Sequence, residues 1–197
     1  MKQLIGAVIL GAGASSRMGR QKLLLPWGEG TVLSHIFEQW RRLVEQVAVV
    51  HGSNEWIVRE MDRLRIAAAQ RIENPEPERG MFSSIQCAAL WAGWKKELTH
   101  FVLVLGDQPH LRETTLRELL EFSRRNPDKV CQPKWKGRPK HPVVLPRPVF
   151  LGVHTTHATD LKQFLQGRPR ELVQLNDPGL ELDLDYPEDY EKARKFR

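Results

Sequence analysis

The chain has 197 residues, 41% hydrophobic and 27% charged, which fits one folded domain with a substantial core and excludes a disordered chain. Its two cysteines, Cys87 and Cys131, exclude a disulfide-framed scaffold and a four-cysteine zinc site, and no apolar run reaches the roughly 18 residues of a membrane-spanning helix. Lysine and arginine number 30 against 24 aspartates and glutamates, a net charge of +6 that favours anionic ligands without choosing among them.

Leu4 to Leu10 reads as a buried strand, because its short apolar run passes straight into a glycine-rich turn. That argues against a signal peptide and makes the cytoplasm the default location. Residues 31–43 place Val32, Leu33, Ile36, Phe37, Trp40 and Leu43 at helical spacing. Val47 to Val50 is a second strand closed by His51-Gly52, and a helix is expected over 54–66. Residues 70–73 make a short third strand before the breaker run Asn74-Pro75-Glu76-Pro77. Ser83 to Lys96 is again apolar at helical spacing. Phe101 to Leu105 is a β-branched and aromatic strand ending in Gly106-Asp107-Gln108-Pro109, and a helix follows at 111–125.

Strands alternating with helices predict an α/β fold, a doubly wound and mostly parallel sheet flanked by helices, in a single domain. Each crossover is expected to be right-handed. The last third is less regular. Pro133, Pro139, Pro142, Pro146 and Pro148 suit edge strands and connections more than a central strand. A short helix near 159–166, strands near 171–175 and 180–184 and a helix from 187 complete the reading.

The segment after the first strand, residues 10–33, carries the chemistry. Gly11 and Gly13 allow positive φ and close approach of a ligand to the backbone. Consecutive N–H groups there can form a nest for an anion. Arg17 and Lys22 add a guanidinium and an ammonium to the same loop, so the parts describe a triphosphate cradle. The spacing fits neither the P-loop nor the dinucleotide-binding glycine pattern, since Met18 and Ser16 stand where those motifs need glycine.

Four further blocks follow. Gly80 precedes a helix whose first turn holds Ser83 and Ser84, which cap the helix or donate to a ligand. Asp107, at the carboxyl end of a strand, lies where open α/β sheets bind ligands, and it can hold Mg²⁺ or cap the next helix. In Gly137-Arg138-Pro139-Lys140-His141-Pro142, His141 either binds a ligand or packs at a strand entrance. Asp183 and Asp185, two apart on an expected strand, face one side together.

Residues 10–22, LGAGASSRMGRQK, resemble the nucleotide-binding signature of molybdopterin nucleotidyltransferases. The continuation LLLPWGEGTVL looks most like the molybdenum cofactor cytidylyltransferase family, and the later blocks follow in that family's order. The resemblance implies a Rossmann-type fold of the nucleotide-diphospho-sugar-transferase kind. Residues 1–130 are then the nucleotide-binding half and 131–197 the acceptor-binding half. It implies that CMP passes from CTP to molybdopterin with release of pyrophosphate. Arg17, Lys22 and Asp107 would be catalytic, with Mg²⁺ on Asp107 and Asp185 and with Asp183 as a further candidate. Leu10, Gly11, Ala12, Gly13, Arg17, Lys22, Asn74, Gly80, Ser84 and Gly106 would bind nucleotide, and Lys140 and His141 the acceptor. A molybdenum hydroxylase of the xanthine dehydrogenase class would be the partner that receives the product. Lys140 stands where the family has glycine and Tyr186 where it has threonine.

Two other readings use the same residues. One is a nucleotidyltransferase for a sugar, polyol or lactate-type phosphate. The other is a non-catalytic carrier of molybdopterin or nucleotide, against which Arg17, Lys22 and Asp107 speak, since a carrier has no leaving group to stabilise. Nucleic-acid binding is disfavoured because the six tryptophans do not interleave with a basic stripe. The cysteines read as small buried hydrophobes, and the histidines show no zinc spacing.

Overall fold

A computed structural model describes residues 2–13 and 18–196. Its centre is a sheet built from β1 (Ile5–Leu10), β4 (Gln46–His51), β5 (Arg71–Glu73), β6 (His100–Leu105), β7 (Val130–Trp135), β9 (Val143–Pro146) and β10 (Arg170–Gln174). The order is β10-β7-β9-β6-β1-β4-β5, and the two-residue β8 (Arg138–Pro139) pairs with β7. Between them lie the hairpin strands β2 (Pro26–Trp27) and β3 (Gly30–Thr31), which pair with each other. β1 is parallel to both β4 and β6, and β9 runs antiparallel between β6 and β7.

Helices cover both faces because both faces are apolar. Ile5, Ala7 and Ile9 of β1 pack with α1 (Val32–Arg41), α2 (Glu55–Arg63), α4 (Glu113–Arg125) and Ala193 of α7 (Pro187–Ala193). Val8, on the opposite side, packs with α3 (Met81–Leu90), α5 (Arg147–Leu151) and α6 (Leu161–Phe164). Alternation along the strands thus feeds two separate cores. Local signals set the helix starts. Thr31 and Ser34 form a reciprocal capping box at α1, and Asn54 accepts from the Trp56 N–H at α2.

After β1 the chain winds outward through α1, β4, α2 and β5, then returns across β1 through α3 to form β6 on its other side. The winding direction therefore reverses between β1 and β6. A crevice opens at their carboxyl ends, the place where open α/β sheets bind ligands.

Several expectations change. The prolines do not confine residues 130–148 to an edge, since β9 and β7 are interior strands. Pro146 ends its strand, Pro139 lies in the outer β8, and Pro142 precedes β9, so these prolines interrupt little of the ladder. Residues 180–184 are not a strand. A 3₁₀ turn spans Pro178–Glu181 and an irregular segment leads to α7. The helix expected over 83–96 begins at Met81 and stops at Leu90, and the one expected over 54–66 stops at Arg63. Positive φ is found at Gly19, Gly28, Gly80, Gly137 and Gly167, not at Gly11 or Gly13.

Candidate active site

The carboxyl ends of β1 and β6 are in register, with Leu10 opposite Leu105. The following glycines let the two chains stay close. A Cβ on Gly106 would lie 2.8 Å from the Leu10 carbonyl oxygen, and one on Gly11 would lie 2.7 Å from Leu23 Cδ1. Leu10, Gly11, Ala12 and Gly13 form one wall of a cleft of about 220 Å³, and Leu105, Gly106 and Asp107 form another. Gly80, Met81 and Ser84 close it at the start of α3, where the partly positive helix end faces the cavity. At Gly80 φ is +89°, a turn that glycine makes without strain.

Lys22 completes the cleft. It opens a 3₁₀ turn anchored by buried Leu23. Its Nζ lies 2.6 Å from Asp185 Oδ1 and 3.2 Å from Asp107 Oδ2. Burial works against the ammonium, but the two carboxylates outweigh it, so the Lys22 pKa is raised. The two aspartates, 78 positions apart in the chain, converge on one cation. Both reach the same nitrogen.

The C-terminal segment reaches this place by a set of buried hydrogen bonds. The Leu184 N–H donates to the Asp107 carbonyl (3.2 Å), and Gln108 Nε2 donates to Asp183 Oδ1 (2.8 Å). His110 Nε2 lies 3.0 Å from the Gly179 carbonyl. Asp177 is 1% exposed and accepts from the Gly179 N–H, Thr115 Oγ1 and the Arg112 N–H. Leu184 is buried in the core while Asp183 and Asp185 point outward, so the expected alternation survives without a strand. The Asp183 pKa is raised, first by desolvation among surrounding protein atoms, then by the charge of Asp107. The bond from Gln108 opposes the shift.

The other expected residues are distributed as follows. Asn74 is 1% exposed and lies behind the cleft, donating to Ser83 Oγ and Ser84 Oγ at 2.9 and 3.0 Å. It positions Ser84, which lines the cavity. Ser83 turns back onto the Gly80 and Glu76 carbonyls. Lys140 carries its charge towards Asp183 and Glu181, where it partly offsets the rise at Asp183 and adds to a lowering at Glu181 that comes first from the bond to Lys136. His141 points elsewhere, its ring packed against the Leu103 backbone. Desolvation there pushes its pKa down to about 4, so the imidazole is neutral at pH 7. Arg17 lies outside the described residues. Gln108, His110 and Asp177 were not anticipated. Gln108 and His110 adjoin Asp107 in the sequence, but nothing in their spacing announces partners some 70 residues away.

The sequence profile of the MobA-like NTP transferase domain matches residues 7–175. The chain is 28% identical over 194 residues to the molybdenum cofactor cytidylyltransferase of Escherichia coli (strain K12), covering 97% of this chain and 96% of that one. Its fold is similar to the crystal structure of Rv0371c from Mycobacterium tuberculosis H37Rv, with a TM-score of 0.76, 24% identity, and 98% and 99% of the two chains covered. The manganese complex of Rv0371c superposes with a TM-score of 0.73 at 23% identity, covering 98% and 99%.

Proposed function

The chain belongs to the MobA-like NTP transferase domain family and is a nucleotidyltransferase; we propose that it transfers CMP from CTP to the phosphate of molybdopterin in the molybdenum cofactor. An oxygen of the acceptor phosphate attacks the α-phosphorus of CTP, the bond from that phosphorus to the β-phosphate oxygen breaks, and pyrophosphate leaves. The acceptor phosphate is ionised at neutral pH, so the step calls for positioning and charge neutralisation and not for a general base. The choice of CTP and of this acceptor rests on the likeness to the E. coli enzyme.

In this reading the walls formed by residues 10–13 and 105–107 receive the nucleotide. Lys22 neutralises the triphosphate and the departing pyrophosphate, a role Arg17 shares by its place in the sequence. A divalent ion suits Asp107 and Asp185, whose oxygens already meet on one cation. Magnesium is commonly held by one or two carboxylates with phosphates and water filling its other positions. When bound, it would supply charge neutralisation at the α-phosphate. Asp107 and Asp185 hold its place, Lys140 adds positive charge on the acceptor side, and Ser84 offers its hydroxyl to the nucleotide.

The observation that carries the reading is the placement of Lys22 Nζ between Asp107 and Asp185 at the mouth of the glycine-walled cleft. The test is pyrophosphate release from CTP, GTP, ATP and UTP, each with Mg²⁺ and either molybdopterin or a panel of sugar, polyol and lactate-type phosphates. The expected result is turnover with CTP and molybdopterin. Tight binding of molybdopterin without pyrophosphate release from any triphosphate would make the protein a carrier instead.

A further inference from the structure

Lys22 and Asp185 meet at 2.6 Å although they come from opposite ends of the chain. Each leads into a small element. Lys22 opens the 3₁₀ turn Lys22–Leu24, which runs into the hairpin of β2 and β3. Asp185 is followed, after Tyr186, by α7. These two elements touch. Tyr190, in the middle of α7, donates its hydroxyl proton to the Pro26 carbonyl of β2. Its ring also meets the Trp27 ring edge-on, with centroids 6.1 Å apart.

Both sides of this joint are anchored. Trp27 is 4% exposed and packs against His35 of α1 as well, with centroids 6.1 Å apart. Its indole N–H is buried without an acceptor, so packing and not a hydrogen bond holds the ring. The Val32 N–H donates to the Leu25 carbonyl at 2.9 Å, which ties the two ends of the hairpin together. On the other side, Asp189 caps α7 by accepting from the Tyr186 N–H at 3.1 Å, and Ala193 lies in the core. Asp185 therefore stands between two attachments of the chain. Before it, the Leu184 N–H binds the Asp107 carbonyl. After it, Tyr190 binds the hairpin that follows Lys22.

We propose that Tyr190 is a positioning residue for nucleotidyl transfer, holding Asp185 in place relative to Lys22 and Asp107 through the joint of α7 with the hairpin. The proposal rests on the nucleotidyltransferase reading. The Asp185 side chain is 39% exposed, so burial does little to fix its carboxylate. At rest the bond to Lys22 helps to hold it. When the ammonium turns to a triphosphate, that bond is given up, and the Tyr190 joint keeps α7 against the hairpin. Asp185 then stays on the same side of the cleft as Asp107, where a divalent ion needs both. Without the joint, the competent placement of Asp185 is populated only part of the time, and the apparent metal affinity falls by that fraction. The chemical step, once the ion is bound, keeps its rate.

Tyr190→Phe removes the hydroxyl and keeps the ring, and Tyr190→Ala removes both. Phe150→Leu, in the core on the opposite face of the sheet, controls for lost stability, and thermal melting checks the fold of every variant. The first readout is pyrophosphate release with CTP and molybdopterin. The Mg²⁺ needed for half-maximal rate should rise about fivefold in Tyr190→Phe, the size of one lost neutral hydrogen bond. It should rise further in Tyr190→Ala, with kcat at saturating Mg²⁺ kept, and stay put in Phe150→Leu. The second readout needs no turnover. In Lys22→Met, where the ammonium is gone, Mn²⁺ binding is read from the electron spin resonance of the free ion, with and without Tyr190→Phe. The double variant should bind Mn²⁺ about fivefold more weakly. An unchanged Mg²⁺ requirement, an equal Mn²⁺ affinity with and without the hydroxyl, or the same shift in Phe150→Leu would overturn the proposal. No pyrophosphate from any triphosphate would remove the enzyme reading instead, and the Mn²⁺ comparison would still decide whether Tyr190 holds Asp185.

Discussion

Two carboxylates facing one site repel each other unless a cation stands between them, and Lys22 is that cation here, 2.6 and 3.2 Å from Asp185 and Asp107. A divalent ion bound by the same oxygens competes with the ammonium, while a triphosphate gives the ammonium somewhere else to go. Lys22→Met should therefore have two opposite effects. Turnover should fall by about 10²–10³, the usual cost of one lost electrostatic donor. Without nucleotide, Mn²⁺ should bind more tightly than to wild type, as read from the electron spin resonance of free Mn²⁺. Equal Mn²⁺ affinity in the two proteins would mean that the lysine does not stand where the ion binds. The glycine at the other wall is argued from space. A methyl on Gly106 would meet the Leu10 carbonyl oxygen at 2.8 Å and Leu23 Cδ2 at 2.9 Å, so Gly106→Ala should lose about 1–3 kcal/mol in urea unfolding. Asp107 was legible in the sequence because it follows directly on the end of β6, and Lys22 because it belongs to the glycine-rich segment that leaves β1. Gln108 and Asp177 were not, because their partners come from a different part of the chain.

The segment from Asp177 to Asp185 shows the same limit for a whole element. Its alternation was readable, with Leu184 inward and Asp183 and Asp185 outward. Its secondary structure was not, because no neighbouring strand supplies a ladder. What fixes it is the loop after β6, through the Asp107 carbonyl, Gln108 and His110. Asp177 anchors the far end by accepting three hydrogen bonds in full burial. Asp177→Ala leaves those donors unsatisfied and should cost about 2–4 kcal/mol. Because the freed segment carries Asp185, the variant should also need more Mg²⁺ for half-maximal activity than wild type, at a temperature where both are folded. A loss of stability with an unchanged Mg²⁺ requirement would show that the anchor serves the fold alone. The interior β9 was missed for a related reason. Proline content argues against a central strand only where the ladder requires its N–H; Pro142 and Pro146 flank or end β9, and Pro133 is tolerated inside β7 opposite Val173.

For the molecule as a whole, the buried histidines set how stability depends on pH. Desolvation is the first cause in each case. It lowers the pKa of His100 against its bond to the Pro127 carbonyl, lowers that of His110, and pushes that of His141 down to about 4. In the unfolded chain each titrates near the ordinary value of about 6.5. Above that value neither state is protonated and the groups contribute no pH dependence. Below it the unfolded state takes up protons that the folded state refuses, so stability falls as pH drops, by at most about 1.4 kcal/mol per pH unit for each such group. The fall continues until the folded-state values are reached, which for His141 extends the window to about pH 4. Glu60, held below its usual range by its bonds to Arg63 against the effect of burial, acts in the same direction but only at the acid end. The melting temperature should therefore be level from pH 8 to 7 and decline clearly between pH 6.5 and 5, before carboxylates titrate. Imidazole proton resonances of His141 should remain those of the neutral ring at pH 5. A melting temperature that stays level down to pH 5 would show that these rings reach protons in the folded state, and that the core beneath the acceptor side of the sheet is open to water.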